Sequence, residues 1–320
     1  MEIENIKELK KLILDEAGTN LLTGDDELLK LERIPTGIYT FDKILNGGIP
    51  RRRYTMFWGS DSSGKSTLAA LCIKAVQSQG GVAAYIDGEN TYDPEWWKLL
   101  GVKTSDLLYI QTHLAEKLID TVRELCKNKI DLIVLDSIAS LVPGEEYEKD
   151  ADKKSISVLA RLVNTFLKKI VQYNEKSAII LINQFRMSIG GYIPEKVLPG
   201  GLGQRFMASL ICEISKGDPI FSDQKKKNTK KREESIGYYM DIYISKSKVG
   251  SPYKRCSIPI YFDGHIDLLY DIIEKAIERG IIERSGPSYS FDDQKFVGKH
   301  SILEKAHEDG EFLQKILKEI

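Results

Sequence analysis

No stretch of this chain reaches the roughly 18 consecutive apolar residues that a membrane span requires, and Met1 to Lys11 is charged rather than a secretory leader. Those absences exclude a helical membrane protein and point to the cytoplasm. Cysteine is scarce as well. Cys72, Cys126, Cys212 and Cys256 lie far apart with no CxxC pair, which excludes a zinc ribbon or a disulfide framework and fits core thiols in a reducing compartment. Proline accounts for only 10 of 320 residues, against 42% hydrophobic and 29% charged positions, so the chain is not collagenous, mucin-like or disordered. Neither sign of charge dominates: 46 basic residues meet 47 acidic ones for a formal charge of -1, so contact with a polyanion has to come from a local basic patch. No internal repeat or low-complexity tract is present. The length exceeds what one core usually supports, which implies one large domain with small appendages.

Three parts are expected. In residues 1–32, Ile3, Ile6, Leu9 and Ile13 recur at helical spacing among Glu and Lys, giving a short amphipathic helix followed by a polar linker. A helix this short is marginal alone, so its apolar stripe needs a second surface, either a neighbouring subunit or its own domain. Residues 33–270 alternate apolar runs with helical patterns. Strands are expected at Tyr54–Trp58, Val82–Ile86, Leu107–Ile110, Asp131–Leu135 and Ala178–Ile182, and helices at Ser66–Gln79, Leu114–Asn128 and Ser155–Tyr173. That alternation implies right-handed crossovers and a mainly parallel, doubly wound α/β sheet. Runs at Ser209–Ile214, Tyr238–Ile244 and Ile258–Phe262 suggest antiparallel strands extending the sheet. A helix follows from about Leu268 to Arg279, and residues 271–320 read as a small C-terminal α/β cap with a Gly286-Pro287 turn and a terminal amphipathic helix.

The most specific motif is Gly59-Ser60-Asp61-Ser62-Ser63-Gly64-Lys65-Ser66-Thr67, which matches the phosphate-binding pattern G-x-x-x-x-G-K-[ST] between an expected strand and an expected helix. Glycines let the backbone wrap phosphates, whose charge meets N–H donors at the positive end of a helix. Lys65 is expected to reach the terminal phosphates of ATP, and the Ser66 hydroxyl to ligate Mg²⁺. Asp136 ends the apolar run Asp131-Leu-Ile-Val-Leu. An aspartate there serves either as a metal partner or as a turn cap, and beside a phosphate loop the metal role is the stronger reading. In Asp87-Gly88-Glu89, Glu89 falls at the carboxyl edge of the sheet, as a general base or a solvated loop residue.

Further segments in order and spacing, Ile34-Pro-Thr-Gly-Ile-Tyr-Thr-Phe-Asp42, Gly47-Gly-Ile-Pro50, Tyr85-Ile-Asp-Gly-Glu89, Asp93-Pro94, Leu99-Leu-Gly-Val102, Leu135-Asp-Ser137, Ile182-Asn-Gln-Phe-Arg-Met187, Pro199-Gly-Gly201 and Ile244-Ser-Lys-Ser-Lys-Val249, extend the pattern over nearly the whole chain. The chain resembles the bacterial and bacteriophage RecA-type recombinases. The resemblance implies a RecA-like P-loop NTPase core that forms a homo-oligomeric helical filament on single-stranded DNA. ATP would lie between neighbouring subunits, and strand exchange with homologous double-stranded DNA would be the activity. Mediator and single-strand-binding proteins are the partners such a system implies. Position by position, Glu89 resembles the family's catalytic glutamate and Gln184 its γ-phosphate switch, while Trp96 sits where the family places an aromatic against adenine. Lys246 and Lys248 resemble a pair that reaches the neighbour's phosphates, where they would neutralise charge as arginine fingers do. Without the resemblance, they read as strand-edge lysines that discourage aggregation.

Residues 144–154 and 185–203 correspond to the family's two DNA-facing loops. In the resemblance Ile156 inserts between bases and Arg161 contacts phosphate, while Arg186, Met187, Gly200, Gly201 and Arg205 belong to or flank the second loop. Glycines and guanidiniums there permit close backbone contact with phosphates, so binding should be nearly independent of sequence and sensitive to salt. Several positions depart from the family pattern. Asp150, Asp152, Lys153 and Lys154 alter the first loop's charge, Gly88 and Asn90 flank Glu89, and Leu202 removes one polar contact. The chain ends at Ile320 without the acidic tail of many bacterial members, from which looser control of duplex binding is expected. The basic run Lys225–Arg232 reads as a solvated loop or a DNA contact. Two alternatives stay open: a non-catalytic accessory paralogue, against which Lys65, Glu89, Asp136 and Gln184 argue, and a hexameric helicase on the same core.

Overall fold

The structure is a computed structural model and describes residues 3–17, 22, 24, 27–144, 155–187, 196–197, 203–221 and 235–320. Residues 1–32 and 33–320 form two compact units. The first contains helix α1 (Ile3–Ala17), in which Ile6, Leu9 and Ile13 are half-buried while Leu12 and Leu14 are exposed.

The second unit begins with β1 (Arg33–Ile34), α2 (Tyr39–Ile44) and β2 (Ile49–Pro50), then enters β3 (Tyr54–Gly59), α3 (Lys65–Ser78), β4 (Ala83–Asp87), α4 (Pro94–Leu99), β5 (Leu108–Gln111), α5 (Ala115–Lys127) and β6 (Leu132–Asp136). It continues through α6 (Ser155–Tyr173), β7 (Ala178–Gln184), β8 (Arg186–Met187), β9 (Lys196–Val197) and α7 (Gly203–Met207). Three longer strands follow, β10 (Leu210–Phe221), β11 (Ser235–Ser247) and β12 (Arg255–Tyr261). The chain closes with α8 (Leu268–Glu278), β13 (Glu283–Ser285), β14 (Ser288–Phe291), β15 (Gln294–Val297), α9 (Lys299–Glu308) and α10 (Gly310–Glu319).

An eight-stranded sheet in the order β12-β11-β10-β3-β7-β6-β4-β5 organises the unit. Its central strands β3, β4, β6 and β7 bury both faces, as the continuous apolar runs require, while the edge strand β5 is largely exposed. Phe57, Leu132, Val134, Ile180 and Ile182 point into one apolar layer with α3, and Met56, Trp58, Ile133, Leu135 and Leu181 into the other with α5 and α6. Neighbouring residues on each strand thus serve opposite cores.

One expectation changes. β11 and β12 are antiparallel extensions, but β10 runs parallel to β3 over Leu210–Ile214 on one side while pairing antiparallel with β11 from Leu210 to Phe221 on the other. The reason is the short helix α7, which returns the chain to the starting edge of β3, where the Ser209 amide donates to the Tyr54 carbonyl at 3.1 Å.

The last segment has its own apolar cluster around Ile273, Ile282, Phe291, Ile302, Phe312 and Ile316 and a three-stranded antiparallel sheet. It is fastened to the sheet-bearing part through Asp271, whose carboxylate accepts from the amide of Tyr39 at 2.6 Å and the hydroxyl of Thr40 at 2.7 Å, capping α2. Cys72, Cys126 and Cys212 are buried and Cys256 partly so, all as free thiols. Burial pushes the Cys126 thiol up to about 11, away from nucleophilic chemistry. No helix among the described residues is long and apolar enough to cross a membrane.

Candidate nucleotide site

Strand β3 ends at Gly59, and α3 starts at Lys65, so the intervening loop closes over the carboxyl edge of the sheet. Gly64 adopts φ +96, and an added Cβ there would fall 2.6 Å from the Met240 methyl and 2.8 Å from the Tyr238 hydroxyl. At Gly59 the added atom would fall 2.2 Å from the Ile214 carbonyl oxygen. Gly59 therefore needs glycine for close backbone approach, and Gly64 for its left-handed φ. Gly64 offers α3 no side-chain cap, which leaves the first-turn N–H groups for an external anion.

Lys65 is buried, and its Nζ donates to the Ser60 carbonyl at 2.7 Å, within the loop that would receive phosphate oxygens. Burial holds its pKa below that of an ordinary lysine, against the opposing pull of Asp136, Asp61 and Glu89. Ser66 Oγ donates to Asp136 Oδ2 at 2.5 Å, and the Tyr85 hydroxyl donates to the same oxygen at 2.8 Å. Ser66 and Asp136 line a cleft of about 330 Å³ with Lys65, Glu89 and Gln184. A glycine cradle, a buried lysine and a hydroxyl–carboxylate pair fit a nucleoside triphosphate with a divalent cation. Among the described residues, no group of three or more His, Cys, Asp or Glu side chains could hold a metal, so a cation here requires phosphate oxygens as well.

Burial pushes the Asp136 carboxyl up from 3.8 to about 6, with the Ser66 and Tyr85 hydrogen bonds opposing and the charges of Glu89 and Asp87 adding. Between those two values the native state keeps a proton that the unfolded chain has lost, so the stability of the nucleotide-free protein falls as pH rises through that window. Asp136→Asn removes the buried charge. It is expected to raise stability at pH 8 by about 3 kcal/mol, with the gain vanishing as pH falls to about 4. Thermal unfolding from pH 4 to 8 measures this, and a gain that ignored pH would remove charge burial as the cause.

Asp87, fully buried at the end of β4, positions the next residues. Its carboxylate accepts from the amides of Glu89 at 2.9 Å, Asn90 at 2.8 Å, and Thr91 and Tyr92 at 3.1 Å, winding the segment into a fixed turn. Glu89 Oε1 then accepts from Ser137 Oγ at 2.5 Å and from Gln184 Nε2 at 3.4 Å. Gln184 is the last residue of β7, which pairs with Gly59, so a group at the tip of the phosphate loop would meet Glu89 and Gln184 together. A carboxylate held this way can accept a proton from water, and an amide beside it can register whether a terminal phosphate is present.

The lysine pair lies elsewhere. Lys246 pairs with Ile211, which pairs with Met56, while the Lys248 amide donates to Ser209 beside Tyr54. Tyr54 begins the strand that Gly59 ends, so Lys248 sits about 16 Å away along the strands, at the opposite edge. Lys246 Nζ donates to the carbonyls of Arg205 and Phe206, and Lys248 Nζ to that of Phe206 at 2.9 Å. Burial lowers the Lys246 pKa, and the charges of Lys248 and Arg205 lower it further.

Trp96 is half-buried on α4 against the apolar layer and does not line the phosphate cleft. Arg161 is exposed on α6, and Ile156 lies in the first turn of that helix. Arg186 and Met187 form β8, which pairs with Val197 and Lys196. The exposed Arg205 on α7 places its guanidinium 5.2 Å from the Trp58 ring centre. Gly200, Gly201, most of the first DNA-facing loop and the Lys225–Arg232 run lie outside the described residues.

The RecA N-terminal domain family matches residues 4–267, the span that carries all of this geometry. The chain belongs to the RecA family. Protein RecA of Thermus thermophilus is 34% identical over 306 residues, spanning 93% of this chain and 87% of that protein. Protein RecA of Gloeobacter violaceus is 33% identical over 93% of this chain and 80% of its own length, and that of Mycoplasma mycoides subsp. mycoides 32% identical over 99% and 90%. Family membership assigns the chain to the RecA-type recombinases, ATP- and DNA-binding proteins of recombination and repair, and the mostly parallel sheet with its small C-terminal sheet accords with it.

Sequence reading alone did not single out Asp87, Ser137 or Tyr85. Asp87 carried a usable signal, because an aspartate before Gly88 at a strand end is an Asx-turn former. Ser137 and Tyr85 carried none: each matters through a partner brought close by the fold, Glu89 for one and Asp136 for the other.

Proposed function

We propose that this protein is a DNA-stimulated ATPase whose subunits assemble as a filament on single-stranded DNA and carry out homologous pairing and strand exchange with double-stranded DNA. The observation that carries this reading is the separation of two sets of groups across one sheet. Lys65, Ser66, Glu89, Asp136 and Gln184 converge at one edge, while Lys246 and Lys248 stand at the other. One subunit cannot close Lys246 and Lys248 onto its own cleft, so a head-to-tail neighbour is needed to bring this pair to the phosphates.

In this reading Lys65 and the loop amides hold the triphosphate, with Trp96 against the base. Ser66 and Asp136 hold Mg²⁺, which supplies charge neutralisation at the phosphate oxygens. Glu89, oriented by Ser137, takes a proton from the attacking water, and Gln184 links loss of the terminal phosphate to the DNA-facing segment that follows it. Lys246 and Lys248 of the adjoining subunit stabilise the transferring charge, making turnover depend on assembly. Arg161, Arg186 and Arg205 contact the DNA backbone with Met187, Gly200 and Gly201, and Ile156 separates bases. The helix of residues 1–32 packs on an adjoining subunit, and residues 271–320 form the cap on the core of residues 33–270. The protein works in the cytoplasm, with mediator and single-strand-binding proteins as partners.

Electron microscopy with single-stranded DNA tests the reading. Filaments are expected with a non-hydrolysable ATP analogue and not without nucleotide. ATP turnover is expected to rise on adding the DNA and to fall as salt weakens backbone contact. Monomers under every condition, with turnover indifferent to DNA, would end the proposal.

A further inference from the structure

The phosphate cleft has a wall that the motif residues do not supply. Lys216, on β10, and Tyr238, on β11, line the same cleft as Lys65, Ser66 and Gln184. β10 passes Gly59 at Ile214 and continues beyond the phosphate loop, so Lys216 lies two residues past that level. There the β10–β11 register breaks between Lys216, opposite Met240, and Pro219, opposite Tyr238. A bulge of this kind re-aims side chains. Here it brings Lys216 Nζ to 5.1 Å from the Tyr238 ring centre, while the Tyr238 hydroxyl stands against Gly64, at the start of α3. Among the described residues Lys216 forms no ion pair, and the residue is exposed to the cleft rather than buried in the sheet.

Resting on the nucleotide reading above, we infer that Lys216 is a second nucleotide-binding cation from the same subunit, seated on Tyr238 and directed at the phosphate chain. A triphosphate is polyanionic, and Lys65 with one divalent cation leaves part of its charge uncompensated. The aromatic face restrains a long, flexible side chain without neutralising it, which lowers the cost of ordering its ammonium against phosphate. Lys216 is therefore a binding residue and Tyr238 a positioning residue.

Displacement of a fluorescent ATP analogue from the full chain tests this, with ATP, ADP and adenosine as competitors. Lys216→Met is expected to weaken ATP and ADP about tenfold while leaving adenosine and the thermal midpoint unchanged. Lys216→Arg should restore most of the affinity. Tyr238→Phe should bind as the parent does, Tyr238→Leu about threefold more weakly, and the double variant Lys216→Met with Tyr238→Leu no more weakly than Lys216→Met alone. If Lys216→Met bound ATP like the parent while Lys65→Ala had lost binding, Lys216 would only pack on Tyr238 and the inference would fail with the nucleotide reading intact. If Lys65→Ala also bound normally, both would fall.

Discussion

Lys65→Ala is expected to lose ATP binding and, with it, every nucleotide-dependent property of the protein. The ammonium is buried within the phosphate loop, donating to Ser60 while Asp136, Asp61 and Glu89 draw on its charge. Alanine removes a desolvated cation from a site whose remaining carboxylates repel phosphate. The loss should amount to about 3 kcal/mol or more, over a hundredfold in affinity. Fluorescence titration with an ATP analogue reads the binding, and filter binding reads nucleotide-dependent retention of single-stranded DNA. Normal ATP-dependent filaments from this variant would contradict the assignment of the loop.

Glu89→Gln separates assembly from turnover. Glutamine keeps the length of the side chain and an oxygen able to accept from Ser137, and the turn around it is wound by Asp87, which the substitution leaves in place. What it cannot do is accept a proton from water. Turnover should fall by about 10²- to 10⁴-fold while ATP-driven assembly on DNA persists. Single-turnover hydrolysis and light scattering on one sample make the comparison, and a hydrolysis rate equal to that of the parent would remove Glu89 as the base.

Much of this was legible in the order of residues. Continuous apolar runs such as Leu132–Leu135 reveal buried strands because both faces of a parallel sheet are covered, and the observed alternation of Ile133 and Leu135 against Leu132 and Val134 is how those runs are used. The phosphate loop declares itself because one backbone approach, at Gly59, tolerates no Cβ and Gly64 holds a left-handed φ that favours glycine. The direction of β10 was not legible, since periodicity reports which face a residue occupies and not which way a strand runs. Nor was the wall formed by Lys216 and Tyr238, which depends on a register break between two consecutive strands that periodicity does not reveal. The lysine pair shows a different limit. Its spacing is visible at Lys246 and Lys248, but only strand pairing reveals that these residues and Gly59 lie at opposite edges of one sheet.

Mixing two inactive variants tests the shared cleft most directly. Glu89→Gln retains intact lysines, and Lys246→Ala combined with Lys248→Ala retains an intact phosphate loop and glutamate. Each alone should hydrolyse ATP at background rate with single-stranded DNA. In an equimolar filament, about one interface in four joins the intact half of one to the intact half of the other, so turnover should recover to about a quarter of the parent rate. Mixed filaments that stayed inactive, or a lysine variant as active by itself as the parent, would contradict a catalytic site completed by the neighbouring subunit.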